Sequence, residues 1–212
     1  KGIEWFVKQI SKHYKKKLPI VLLTKGLSIV DNEITTLSDK IKNLLEKEDH
    51  SEINISAIKG PCLAAGLANK MRTGTVIANK NIKQSKLLKE IVSTNYYSIE
   101  ISDDITGVEL SGAIKNIYSM LIGASEGLSN YKASKDIQSK YYLNTAASLI
   151  HRSISEMVQF VKHYGGKTET VYGLAGLGDL YVCAIGGRNS LMGKYLGQGY
   201  SYNEAKENFM KH

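Results

Sequence analysis

Apolar residues recur every three to four positions over Ile3–Tyr14, with Ile3, Phe6, Val7 and Ile10 on one face, and this period predicts a helix. The apolar run Leu18–Leu23 suits a buried strand. A helical period returns over Ile34–Leu45, and Ile53–Ile58 alternates as a strand does. Pro61–Asn69 reads as a short helix of small residues, with Pro61 in its first turn. Thr75–Ala78, Ile82–Val92 and Tyr96–Ile101 read as strand, helix and strand. Strands alternating with helices predict an α/β layer.

Beyond Ser102 the strand pattern stops. Asp104 to about Leu128 reads as one helix, Ser129–Asp136 as a polar break, and about Ile137–Tyr164 as a second helix stopped by Gly165-Gly166. Gly173–Leu180 is too glycine-rich for a core strand and reads as a loop. A helix from about Asn189 follows, and Ser201-Tyr-Asn-Glu204 is a capping box that opens the last one. The pattern divides the chain into an α/β part, residues 1–102, and a helical part, residues 103–212.

The 212 residues suffice for one large domain or two small ones. No apolar run approaches the roughly 20 residues that span a bilayer, so no stable membrane insertion is expected. The start, KGIEWFVKQISKHYKKK, is a basic amphipathic pattern with no apolar signal region or cleavage site. Cys62 and Cys183 are too few and too far apart for a disulfide framework or metal site, and the five histidines show no metal spacing. A cytoplasmic setting is expected. The first residue is Lys, not Met, so the chain is expected to continue upstream.

The net charge of +8 raises nucleic acid as a partner. Only three of the cations are arginines, however, and the 25 lysines are spread along the whole chain. Arginine is the side chain preferred for bidentate phosphate and base contacts. Dispersed lysine suits a solvated surface that attracts small anions, and no nucleic-acid partner is expected.

Three places carry candidate chemistry. Gly186-Gly187 leads into Arg188-Asn189, where backbone N–H groups beside an arginine suit a phosphate oxyanion, with Asp179 shortly upstream. A glycine-rich turn with one surface arginine is the equal alternative. Lys115 borders a helical stripe of Leu110, Ile114, Ile117 and Leu121, beside the small Ser111, Gly112 and Ser119. Partial desolvation there would lower its pKa toward acid–base use; a plain surface lysine is the alternative. Lys25 and Gly60-Pro61-Cys62 each follow a predicted strand, at the edge where open α/β sheets bind ligands. Solvated loop residues and a packing role for Cys62 are the alternatives.

Together these segments resemble NAD(P)-dependent glycerol-3-phosphate dehydrogenase. Val108–Asn116 (VELSGAIKN) resembles that family's V-E-L-x-G-A-x-K-N helix, and Asn144–Met157 its N-x-x-A-x-L-I-x-R-x-x-x-E-M helix. Gly173–Leu180, Arg188–Gly199, Thr24–Leu27 and Gly60–Ala64 are similar to four further family segments, in order and in register. The resemblance implies a partial Rossmann-like sheet followed by a helical substrate and dimerisation domain. It implies NAD or NADP as cofactor and a small phosphorylated substrate, with a homodimer as the assembly. The activity implied is interconversion of sn-glycerol 3-phosphate and dihydroxyacetone phosphate, supplying glycerol phosphate for phospholipid synthesis.

Roles follow from the resemblance residue by residue. Lys115 is similar to the proton-transferring lysine, Asp179 to the carboxylate that holds it, and Lys25 to a lysine between cofactor and substrate. Arg188 and Asn189 match substrate-phosphate and cofactor contacts. Gly60, Cys62, Asn116 and Gly187 fall at substrate positions, and Ala64 where an alanine touches the nicotinamide nucleotide. All are expected to converge on one cleft at the carboxyl edge of the sheet.

Departures from the pattern are Cys62 for Ser, Cys183 for Thr, Gly66 for Glu and Gly187 for Ser. No G-x-G-x-x-G follows an early strand, so the dinucleotide turn is expected upstream of Lys1 and this chain alone is expected to be inactive. The competing readings are another β-hydroxyacid-type dehydrogenase and a basic nucleic-acid- or protein-binding module.

Overall fold

The computed structural model describes residues 2–14, 18–132 and 142–210. Helix α1 (Gly2–His13) precedes strand β1 (Ile20–Leu22), a hairpin of β2 (Leu27–Val30) and β3 (Glu33–Thr36), and α2 (Leu37–Glu46). Then come β4 (Ile55–Lys59), α3 (Ala64–Ala68), β5 (Thr73–Ala78), α4 (Ile82–Val92) and β6 (Tyr97–Ser102). The remainder is helical: α5 (Ile105–Lys132), α6 (Tyr142–His163), α7 (Thr168–Tyr172), a π-helical turn at Leu174–Gly178, α8 (Asp179–Gly186), α9 (Arg188–Gly197) and α10 (Tyr202–Phe209).

The expected strands pair in the order β1-β4-β5-β6, but the sheet is mixed. β1 runs parallel to β4 and β5 to β6, while β4 and β5 are antiparallel. The connection from β4 to β5 turns at the carboxyl end of β4 and leaves Gly60–Ala64 there. Pro61 consequently lies outside α3, whose N-cap is Leu63.

The β2–β3 hairpin replaces the first turn of the helix expected from Ile34. Asp31 and Asn32 both take positive φ, 51° and 62°, as a two-residue type I′ turn demands. The residues around the turn, Ile29, Val30, Ile34, Thr35 and Thr36, are β-branched and favour extended backbone. Helix α2 starts only where the Thr36 hydroxyl accepts the Asp39 N–H at 3.1 Å.

One apolar cluster joins α1, β1 and α2 through Val7, Leu22, Leu37, Ile41, Leu45 and Ile53. A second lies inside the helical part, where Leu110, Ile114 and Ile122 of α5 meet Ile154, Met157 and Val161 of α6 and Leu180 and Ala184 of α8. A third crosses the expected boundary near Ser102: Ala57, Val76 and Ala78 of the sheet pack on Ile105 and Val108 of α5. Packing thus seats α5 directly on the sheet. Helix α5 also continues through Ser129–Lys132, part of the expected break. The rest of that break, residues 133–136, and the expected helix start at Ile137 lie outside the described residues.

Ile117 and Leu121, expected on the apolar stripe of α5, are exposed. The covered face instead carries Ser111, Lys115 and Ser119 beside Leu110, Ile114 and Ile122. Small residues are needed because α9 crosses α5 almost backbone on backbone. A Cβ on Gly123 or Gly127 would collide with the backbone of Ser190 or Lys194, and one on Gly193 or Gly197 with that of Met120 or Ala124. This seam fixes Arg188, at the start of α9, relative to Lys115. Gly193→Val should therefore lower stability by about 3 kcal/mol, read as a lower urea midpoint; an unchanged midpoint would refute the close seam.

Candidate active site

Three charged side chains meet where the sheet's edge faces the helices. Lys115 projects from α5 and is 1% exposed; Asp179, the first residue of α8, is 2% exposed. Lys115 Nζ lies 2.6 Å from Asp179 Oδ1. Lys25, just past the carboxyl end of β1, places its Nζ 2.6 Å from the other oxygen, Oδ2. One carboxylate therefore holds two ammonium groups, one per oxygen. The Cys183 thiol, a helical turn beyond Asp179, touches Lys115 Nζ and stands 3.7 Å from Asp179 Oδ1.

Asp179 reaches this place because the stretch expected as a loop is helical. The turn Leu174–Gly178 widens to a π-helix, and a Cβ on Gly176 would strike the Val171 backbone. The glycines permit close winding rather than a free loop. They aim Asp179 inward beneath α5.

Burial alone would lower the pKa of Lys115, but attraction and hydrogen bonding to Asp179, aided by Cys183, outweigh it and raise the pKa. The expected lowering is therefore corrected: Lys115 is a proton-loaded acid at neutral pH.

A cleft of about 630 Å³ opens above the pair. Lys25, Leu63, Lys115, Asn116, Cys183 and the run Gly186–Asn189 line it. Arg188 and Asn189 are exposed on the first turn of α9, where N–H groups lack intrahelical partners and the helix dipole is positive. Gly187 caps that helix in ordinary extended backbone at φ −87°, and a Cβ there would strike the Cys183 carbonyl. Its role is close packing of α8 on α9. A larger groove of about 960 Å³, lined mainly by aliphatic residues of α1 and β1, shares with this cleft only Lys25.

Not every expected residue lines the cleft. Asp179 lies beneath the two lysines. Gly60, with φ at +137° and Thr75 Cα 3.0 Å from where a Cβ would be, makes the turn out of β4. Cys62 is half-buried close to Lys25 and Asp179; burial and the Asp179 charge push its thiol pKa up, against Lys25. From this loop Leu63 enters the cleft, while Ala64 is exposed at the start of α3. Among the described residues three buried charges escaped the sequence reading, Lys59, Asp104 and Glu109. Lys59 shares the inward phase of Ala57 in β4, and that was the available signal.

Comparison with known proteins gives this geometry its context. A family profile described as the NAD-dependent glycerol-3-phosphate dehydrogenase N-terminus matches residues 1–85, and one described as the C-terminus of the same enzyme matches residues 104–212. The NADP(+)-dependent glycerol-3-phosphate dehydrogenase of Archaeoglobus fulgidus is 36% identical over 92% of this chain and 55% of its own length. Glycerol-3-phosphate dehydrogenase [NAD(P)+] of Clostridium tetani is 31% identical over 97% of this chain and 54% of its own. The crystal structure of glycerol-3-phosphate dehydrogenase from Coxiella burnetii superposes with a TM-score of 0.79 at 30% identity, covering 100% of this chain and 60% of that one. The chain thus spans somewhat over half the length of these relatives. Both profiles, these relatives and the fold agree that the chain belongs to the NAD-dependent glycerol-3-phosphate dehydrogenase family.

Proposed function

We propose that the full-length protein to which this chain belongs interconverts sn-glycerol 3-phosphate and dihydroxyacetone phosphate with NAD or NADP. The observation that carries the reading is the buried Lys115–Asp179 pair, with the exposed Lys25 on its second oxygen, at a cleft that also receives the amino end of α9. In this reading Lys115 is the catalytic acid. Its ammonium gives a proton to the C2 carbonyl oxygen of dihydroxyacetone phosphate, and in the reverse direction the amine takes the hydroxyl proton. Asp179 orients that ammonium and offsets its charge. Lys25 adds a second cation above the same carboxylate. Arg188 and the free N–H groups of α9 take the phosphate, with Asn116 and Asn189 beside them.

The exposed Arg188, the Lys25 ammonium and the start of α3 at Ala64 fit the nicotinamide side of a dinucleotide. A glycine-rich pyrophosphate turn is not among the residues of this chain. The nicotinamide, when bound, exchanges the hydride with C2.

The raised pKa of Lys115 sets a direction. Oxidation of glycerol 3-phosphate needs the neutral amine, so its kcat should climb about tenfold per pH unit through neutral and mildly alkaline pH. Reduction of dihydroxyacetone phosphate uses the ammonium and should lack that climb. Initial rates of the full-length protein in both directions from pH ~6 to ~9 test the reading. A protein that reduces dihydroxyacetone phosphate, with the pH slope confined to oxidation, supports it; the absence of reduction with either cofactor overturns it. Arg188→Lys should raise KM for the phosphorylated substrate by about tenfold or more, because an ammonium cannot reproduce a bidentate fork.

A further inference from the structure

Lys59, the last residue of β4, is only 3% exposed and has no part in the chemistry above. Its Nζ donates to the Leu22 carbonyl at the end of β1, 3.1 Å away. Its stem lies on α5 at Gly112, where a Cβ would stand 3.1 Å from Lys59 Cδ. The single side chain therefore joins the strand end that leads to Lys25, the turn at Gly60, and the helix three residues before Lys115. Gly112 is small because of Lys59, not because a ligand approaches α5 there.

The charges facing Lys59 come from three elements: Glu109 on α5, Lys25 beyond β1, and Asp179 on α8. Glu109 is 1% exposed. Its Oε2 accepts the Ser38 N–H at 3.2 Å and the Ser38 hydroxyl, while Oε1 has no partner among the described residues. Burial drives Lys59 down to about 8, with Glu109 and Asp179 opposing and Lys25 reinforcing the fall. A buried charge this near the lysine–carboxylate group is poorly screened by solvent.

We propose that Lys59 is a positioning residue of this site, whose buried positive charge acts through the Lys25–Asp179 pair to favour binding of a phosphate-bearing anion. Lys59 makes no contact with the substrate. It sets the field behind the cleft and ties the ends of β1 and β4 to α5. Loss of its proton removes the field but leaves the amine able to donate to Leu22, so affinity falls with no collapse of the fold.

The inference rests on the glycerol phosphate reading, and its test separates the two. KM for dihydroxyacetone phosphate is measured from pH ~6.5 to ~9.5 for native, Lys59→Met and Glu109→Gln proteins, with circular dichroism as the check on folding. The same series is repeated as sulfate affinity by calorimetry, since sulfate keeps its charge over this range. Native KM, and the sulfate dissociation constant, should rise about tenfold as pH passes through about 8. Lys59→Met should show the weak affinity already at neutral pH, with no step. Glu109→Gln should move the step to lower pH, because the ammonium loses an attracting charge. Steps unmoved in the variants overturn the role of Lys59. Should Lys59→Met fail to fold, the Glu109→Gln midpoint decides alone. Absent turnover with the sulfate steps as described defeats the substrate reading and leaves the Lys59 inference standing.

Discussion

In the proposed reaction of the full-length protein, replacing Lys115 by alanine is expected to lower kcat for dihydroxyacetone phosphate reduction by about 10²–10⁴, the usual worth of a positioned general acid. KM is expected to change far less, because in this reading the phosphate is held by Arg188 and the amino end of α9. The size of the loss follows from geometry. At 1% exposure Lys115 has almost no water beside it to take over the proton transfer. Its ammonium is fixed by Asp179 at 2.6 Å, so the proton is aimed as well as available. Steady-state kinetics over a range of substrate concentrations separate kcat from KM. Near-native turnover in the variant would remove Lys115 from the mechanism.

Asp179→Ala is expected to cost about 3–5 kcal/mol of stability, the range for removing one partner of a buried ion pair. Lys115 has no solvent to turn to once Asp179 is gone, and Lys25, whose side chain is 33% exposed, swings outward. The pair also carries a pH signature. Lys115 is raised above its ordinary 10.5, so its contribution is fully present below that value and is lost as pH rises through the folded-state pKa. In Asp179→Ala that alkaline loss disappears. Urea unfolding of native and variant proteins at pH ~7, and again at about pH 11.5, above the ordinary lysine value, measures both effects. A variant as stable as the native protein at neutral pH would mean that the carboxylate does not hold the two lysines.

The elements with strong periodicity were legible. Helices α1 and α4, the strands of the sheet, the stop at Gly165-Gly166 and the Ser201–Glu204 capping box stand where the pattern put them. What failed depended on information that periodicity lacks. The Asp31-Asn32 hairpin was hidden because Ile34–Leu45 fits a helical period, although the positive-φ turn outweighs it. Strand direction was hidden because parallel and antiparallel strands share one alternation. Glycines in Gly173–Gly178 suggested a loop, yet they serve close helix packing.

The site was readable in its members more than in its electrostatics. Lys115, with small neighbours on an apolar helix, could be singled out among 25 lysines only with the family pattern beside it. Its pKa direction could not, since that depends on Asp179 lying 64 residues away in sequence and 2.6 Å away in space. Lys59 was missed because a lysine at a strand end reads as solvated until the opposite helix is seen to leave room at Gly112.

The central claim is that a buried lysine–carboxylate group and a phosphate-binding helix terminus act together on one small molecule. The most direct measurement is kcat/KM of the full-length protein for glycerol 3-phosphate against glycerol, followed as reduction of NAD or NADP. The two substrates share the carbinol that Lys115 addresses and differ only in the group that Arg188 and α9 address. Turnover of glycerol 3-phosphate, with glycerol lower by about 10³ or more, is the predicted result. Equal handling of the two would contradict the account.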